Sequence, residues 1–62
     1  MSEYNIKILK CSDSKLWYAN LVGKVVEYLG HDEVEWRSYE PQGYINFVKL
    51  EDAELIKGEP NV

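Results

Sequence analysis

The sequence predicts an all-β domain, with five short strands curled into a small barrel. Three observations carry this reading. Apolar and polar side chains alternate in short runs, as they do where a strand buries one face. Turn formers separate those runs at close spacing, as in Gly30-His31-Asp32 and Pro41-Gln42-Gly43. The stretch from Gly23 to Ile56 reads as three strands joined by two tight turns, then a one-turn bend and a short closing strand. A flat sheet of this size would expose its edges and one bare face, and curling hides both.

Size and composition agree. The chain has 62 residues, which is room for one domain. So short a chain buries only about 60% of the surface its unfolded form exposes, and it needs a dense core, a staple or a partner. A 45% hydrophobic content, with two Trp, five Tyr and one Phe, supplies the core, since each aromatic buries roughly 150–250 Å². A 29% charged fraction with many β-branched residues is not the composition of a disordered chain. The single cysteine, Cys11, rules out an internal disulfide. There is no apolar run of bilayer length and no basic-then-apolar leader after Met1, so the chain reads as a complete, small, cytoplasmic protein. Seven Lys plus Arg against eleven Asp plus Glu leave a net charge of -4. Non-specific nucleic-acid binding is driven by counterion release at a basic surface. The acidic balance therefore counts against nucleic acid as a partner, and only Lys7, Lys10, Lys15 and Lys24 offer a local basic patch.

Met1 to Glu3 are expected to fray. Tyr4 to Lys10 is the first strand, with Tyr4, Ile6 and Ile8 on one face and Asn5 and Lys7 on the other. Leu9 breaks the alternation, which suggests cover on both faces at that end. Cys11 to Val22 is a long connection. Ser12, Asp13 and Ser14 are turn and cap formers, while Leu16, Trp17, Leu21 and Val22 are too apolar for a free loop. A short helical or 3-10 turn around Lys15 to Ala19 is expected, folded back onto the body. The alternative is a helix from Ser14 to Leu21, which is short beside the ~12–15 residues an isolated helix needs.

Lys24 to Leu29 is a strand, with Val26 and Tyr28 on one face and Val25 and Leu29 on the other. Gly30-His31-Asp32 turns the chain. Glu33 to Tyr39 alternates Val34 and Trp36 with Glu35 and Arg37. Pro41-Gln42-Gly43 is a second hairpin turn, with Pro at the second turn position and Gly two later. Tyr44 to Lys49 places Tyr44, Asn46 and Val48 opposite Ile45 and Phe47. Leu50 to Ala53 is a single 3-10 turn and Glu54 to Lys57 the closing strand. Residues 58–62 form a flexible tail beyond a core of 4–57. Tyr28, Trp36 and Phe47 are expected inside.

The order of strand, long loop, three-stranded meander, 3-10 turn and short strand resembles the small Src-homology-3-like (SH3-like) barrel. The adjacent Trp pair and the Pro-Tyr element of the peptide-binding domain's ligand groove are absent. A second resemblance is closer. WYANLVGKVVEYL, a hairpin, then GYINFVKLEDAELI are similar to small uncharacterised proteins of Firmicutes and their phages, over about residues 5–56. The shared features are a Trp-Tyr near the loop, a Gly-Lys-x-x-Glu strand, a Tyr-rich hairpin and a closing Glu-Asp-x-Glu-hydrophobic element. They are structural, so the resemblance implies a fold and carries over no functional residue.

Chemistry-bearing residues are scarce. His31 and Cys11 are the only histidine and cysteine. They sit in different loops, and a nucleophile pair needs a third group to orient the base and a pocket to exclude water. They read as an exposed hairpin residue and a half-buried strand-end residue. Structural zinc takes four Cys or His ligands. Glu51, Asp52 and Glu54 could face a hard cation, but without a glycine-bent loop they read as a solvated acidic face. The glycines are dispersed among turns rather than gathered in a phosphate loop. No enzyme, metal or cofactor is expected.

The aromatics are the lead. Trp17, Tyr18, Tyr28, Trp36, Tyr39 and Tyr44 exceed what one small core holds. Trp17, Tyr18, Tyr39 and Tyr44 are therefore the candidate partner-binding residues, rimmed by acids such as Asp13, Glu33 and Glu40. Aromatics lead binding hot spots, and aromatic grooves take extended peptides. The competing reading is that Trp17 plugs the open end of the barrel. The expected function is a non-enzymatic protein-interaction module, in a phage or prophage setting a modulator of a host protein. The alternatives are a barrel that stacks bases on Tyr or Trp, or an acidic mimic of DNA. A homodimer is compatible with each.

Overall fold

The computed structural model describes residues 4–61; the expected fraying of Met1 to Glu3, and Val62 of the tail, lie outside the described residues. It contains strands β1 (Tyr4–Ile8), β2 (Val25–His31), β3 (Glu35–Tyr39), β4 (Ile45–Lys49) and β5 (Ala53–Lys57), with 3-10 turns η1 (Ala19–Leu21) and η2 (Leu50–Asp52). All five strands pair antiparallel in one sheet of order β4-β3-β2-β1-β5. The all-β expectation holds, but the sheet is not closed: β4 and β5 are its edges. Among the described residues, no helix is long and apolar enough to cross a membrane.

Strand alternation builds the core. Ile6, Ile8, Val26, Val48 and Ala53 are buried together with Tyr18 from the long loop, and Cys11, Leu16, Trp17, Leu21, Tyr28 and Trp36 pack around them. Each large apolar side chain buried in this way contributes about 1.5–3 kcal/mol. Phe47 is not inside, contrary to expectation; it is 43% exposed. Register decides this. Trp36 pairs with Val48 and Ser38 with Asn46, so β4 turns its Val48 face inward and its Ile45 and Phe47 face outward.

The first hairpin turns later than expected. β2 runs on through Gly30 and His31, with a bulge between Tyr28 and Gly30. Asp32 then makes the turn: its Oδ1 accepts the N–H groups of Val34 (2.8 Å) and Glu35 (2.9 Å). Val34 thereby leaves the strand and lies 73% exposed, not on the Trp36 face. The second hairpin follows its sequence. Gly43 N–H donates to Glu40 O (2.9 Å) and Glu40 N–H to Tyr44 O (2.7 Å), and Gly43 takes φ 96°, which a side chain would oppose.

The tail is held rather than free. Asn61 and Val25 exchange two bonds, Asn61 N–H to Val25 O (3.0 Å) and Val25 N–H to Asn61 Oδ1 (2.7 Å). Asn5 Nδ2 donates to Gly58 O (2.6 Å). This segment covers the outer face of β1 and β2, which explains why Asn5 and Val25 are buried although they point away from Ile6 and Ile8. The Asn5 Oδ1 accepts Tyr28 N–H (3.1 Å), so one amide joins the tail to the bulged stretch of β2.

Candidate functional site

The long loop is a chain of turns, not the helix from Ser14 to Leu21. Asp13 starts it, its Oδ1 accepting Lys15 N–H (2.9 Å) and its carbonyl accepting Leu16 N–H (3.1 Å). Ala19 N–H to Leu16 O, Leu21 N–H to Tyr18 O and Lys24 N–H to Leu21 O continue it. These turns carry Trp17 and Tyr18 back onto the sheet.

Tyr18, expected among the partner-binding residues, is a core residue, 1% exposed and packed with Ile6, Ile8, Val26 and Val48. Its hydroxyl donates to Asp52 Oδ2 (2.5 Å) and accepts Lys49 N–H (3.4 Å). Burial, and then the bond to Asp52, push the phenol well above its ordinary 10.0. Asp52 is buried as well, so of the expected acidic face only Glu51 and Glu54 are on the surface. Trp17 is half-buried, edge-on to Tyr18 with ring centroids 5.6 Å apart. Its Nε1–H donates to Phe47 O (2.8 Å). The plug of the open side is thus Tyr18, with Trp17 beside it. Glu40 and Tyr44 are hydrogen-bonded across the hairpin, so the odd-numbered residues of β4 turn their backbone groups outward. Trp17 and Tyr18 occupy two of those groups, Phe47 O and Lys49 N–H, where a closing strand would otherwise pair.

A trio of rings was missed at the sequence level. Tyr28, His31 and Trp36 gather at the β2–β3 end, with Trp36 edge-on to Tyr28 (5.9 Å) and to His31 (5.3 Å). The Tyr28 hydroxyl and His31 Nδ1 are 2.9 Å apart, and Trp36 Nε1–H donates to Leu50 O (3.2 Å). The signal was the i, i+3 spacing of Tyr28 and His31, readable only with the bulge in place. Cys11 Sγ–H donates to Asp13 O (3.1 Å), and the contacts of Cys11 and His31 bring neither to the other. Among the described residues no three His, Cys, Asp or Glu side chains group as metal ligands do.

Tyr39 and Tyr44 have a different setting. Ile45 is 57% exposed and Phe47 43%, both on the outer face of edge strand β4, while Tyr44, 70% exposed, precedes the strand on the side of Asn46 and Val48. Tyr39 lies across from Ile45 and Arg37 across from Phe47. The register continues this row over the whole sheet: one step past the Tyr28–Ser38 pair puts Glu27 beside Tyr39, and Glu27 pairs with Asn5, which pairs with Ile56. The tail covers the Asn5 end of the row and leaves the Ile45 end bare. Between tail and hairpin runs a groove of about 320 Å³, lined by Glu27, Tyr39, Glu40, Pro41, Gly43 and Pro60. Asn46 Nδ2 donates to Glu40 Oε2 (2.6 Å), which draws that carboxylate to the Val48 face of the hairpin, away from Tyr39.

No protein-family model, curated protein or solved structure matches the chain.

Proposed function

We propose that this chain is a small non-enzymatic protein-interaction module whose contact face is the outer side of the β3–β4 hairpin. One observation carries the reading: Ile45 and Phe47 stand exposed on the outer face of one edge strand, with Tyr39 across from Ile45. Aromatic and aliphatic side chains gathered in this way are what a partner's core contact needs. Of the loop aromatics, Tyr18 is engaged in the core, so the outer face of the hairpin, with Tyr39, carries the function. The fold reading that accompanies it is an open SH3-like barrel. Its support is the strand order, the sharing of β2 between the β5-β1-β2 and β2-β3-β4 portions, and the 3-10 turn before β5. On the resemblance to proteins of Firmicutes and their phages, the partner is a host protein met in the cytoplasm.

The test is capture from a Firmicute lysate by wild type beside an Ile45→Ser, Phe47→Ser variant shown by circular dichroism to be folded. The expected result is a protein held by wild type and lost by the variant. Equal capture by both overturns the assignment of this face. Sedimentation of wild type and variant separates the homodimer: a dimer that becomes monomeric on substitution makes a second copy the partner.

A further inference from the structure

The two edges of the sheet are not alike. Along β4 the chain's own side chains take outward backbone groups. Phe47 N–H donates to Asn46 Oδ1 (2.8 Å), Phe47 O accepts from Trp17 Nε1–H (2.8 Å), and Lys49 N–H donates to the Tyr18 hydroxyl (3.4 Å). A strand added there must displace them. Along β5 the pattern is the reverse. Leu9 N–H donates to Asp52 O (2.7 Å), while Ile8 turns its N–H and C=O to Lys24 and Gly23 on the β2 side. The β1–β5 register carries this alternation on: Glu54 and Ile56 bond β1, and Leu55 and Lys57 turn their backbone groups outward. Among the described residues nothing takes those groups. Leu55 and Lys57 are both exposed, whereas Ala53, the third outward-turned residue, is only 6% exposed.

We infer that two copies of the chain pair antiparallel along β5, about a two-fold axis at Ile56. The edge is self-complementary in that register. Leu55 of each copy exchanges backbone bonds with Lys57 of the other, Ile56 meets its counterpart, and Glu54 lies across from Gly58. No like charges face each other. An axis at Glu54 would set two carboxylates opposite, which is destabilising. An axis at Leu55 would call on the backbone of Ala53, which is buried. Charge also favours a second copy here. Glu54 stands beside Lys7, its partner on β1, and Lys57 adds a further cation. The acids Asp32, Glu33, Glu35 and Glu40 lie instead on the β2–β3 and β3–β4 hairpins. A chain of net charge -4 therefore meets its own copy with less repulsion at β5 than at the hairpins. The pairing goes beyond the interaction reading. It leaves the β3–β4 hairpin of each copy free at the far ends of one continued sheet, so the dimer presents two contact faces.

The experiment is sedimentation equilibrium of the full chain from micromolar to millimolar concentration. A monomer–dimer equilibrium is expected, weak because the paired stretch is short. Leu55→Pro should weaken it about tenfold, since proline removes an outward N–H and none that bonds β1. Amide hydrogen exchange locates the contact: the Leu55 and Lys57 amides should slow as concentration rises, and the Ile45 amide on the opposite edge should not. Cysteine placement reads the register. Ile56→Cys sets two thiols in a non-hydrogen-bonded pair, Cα atoms about 4.5 Å apart and within disulfide reach. Leu55→Cys, at the more exposed position, sets them about 8 Å apart and beyond it. Oxidation should therefore cross-link Ile56→Cys and not Leu55→Cys, Cys11 being common to both. A monomer at every concentration, a dimer whose Leu55 amide exchanges no more slowly, or cross-linking at Leu55 in preference to Ile56 overturns the inference. The wild-type measurements decide it even where Leu55→Pro fails to fold. The Ile45→Ser, Phe47→Ser variant should remain dimeric, so loss of its captured protein and loss of the dimer are separate failures.

Discussion

Tyr18 and Asp52 show how much one side chain can hold in a molecule this small. The phenol fills the core while its hydroxyl meets a buried carboxylate and a backbone N–H of β4. Removing the hydroxyl leaves Asp52 without that donor, and an unsatisfied buried acceptor costs about 1–3 kcal/mol. At about 0.05–0.15 kcal/mol per residue, that is a large part of the stability of a 62-residue chain. Tyr18→Phe should lower the urea midpoint accordingly, with little change in circular dichroism at low denaturant. The pH dependence has a definite sign. The folded phenol titrates above its ordinary 10.0, so its contribution is complete below that pH. Above it the unfolded chain releases the proton first, and stability falls as pH rises toward the folded value, by at most about 1.4 kcal/mol per unit. The fall should be present in wild type and absent in Tyr18→Phe. Identical alkaline profiles would mean that the hydroxyl is not bonded in the core.

At the scale of elements, side chains decide where strands stop. Asp32 opens the β2–β3 loop by accepting two backbone N–H groups, first Val34 and then Glu35, and those bonds hold its carboxyl below the ordinary carboxylate range. Asp32→Ala should lower the melting temperature at neutral pH. The folded value is depressed, so the contribution is present above the ordinary 3.8 and lost as pH falls through the folded value. The gap between variant and wild type should therefore close in acid, and a constant gap would assign the loss to something other than the carboxylate. This turn also marks the limit of what the sequence makes legible. Gly30 is a turn former on any scale, so reading a turn at Gly30-His31-Asp32 was natural. The bulge that keeps Gly30 and His31 in β2 depends on pairing with β3, which is not local. The second hairpin was legible because Pro41 and Gly43 specify it locally. In β4 the alternation was read correctly, but its inward face was not, because register against β3 chose between Val48 and Phe47. The partner-binding candidates divide in the same way: Tyr39 and Tyr44 follow from their hairpin, while the fate of Tyr18 depends on Asp52, far along the chain.

For the whole molecule, the decisive contact joins the tail to the start of the sheet. A five-stranded sheet has two faces, and the core uses one. The other is half covered by residues 58–61, which composition alone reads as a polar tail with nothing to bury. What they bury is the Asn5 and Val25 side of β1 and β2, and what they bond is Val25, Asn5 and through it Tyr28. A chain ending at Lys57 loses three hydrogen bonds, each worth about 0.5–1.5 kcal/mol net, and exposes the Val25 side chain. Its urea midpoint should drop by the equivalent of about 2–4 kcal/mol, with the m-value little changed because the main core still unfolds as one unit. An unchanged midpoint would mean that the tail does not hold the outer face in solution. Glu27 and Tyr39 would then lie on an open sheet face.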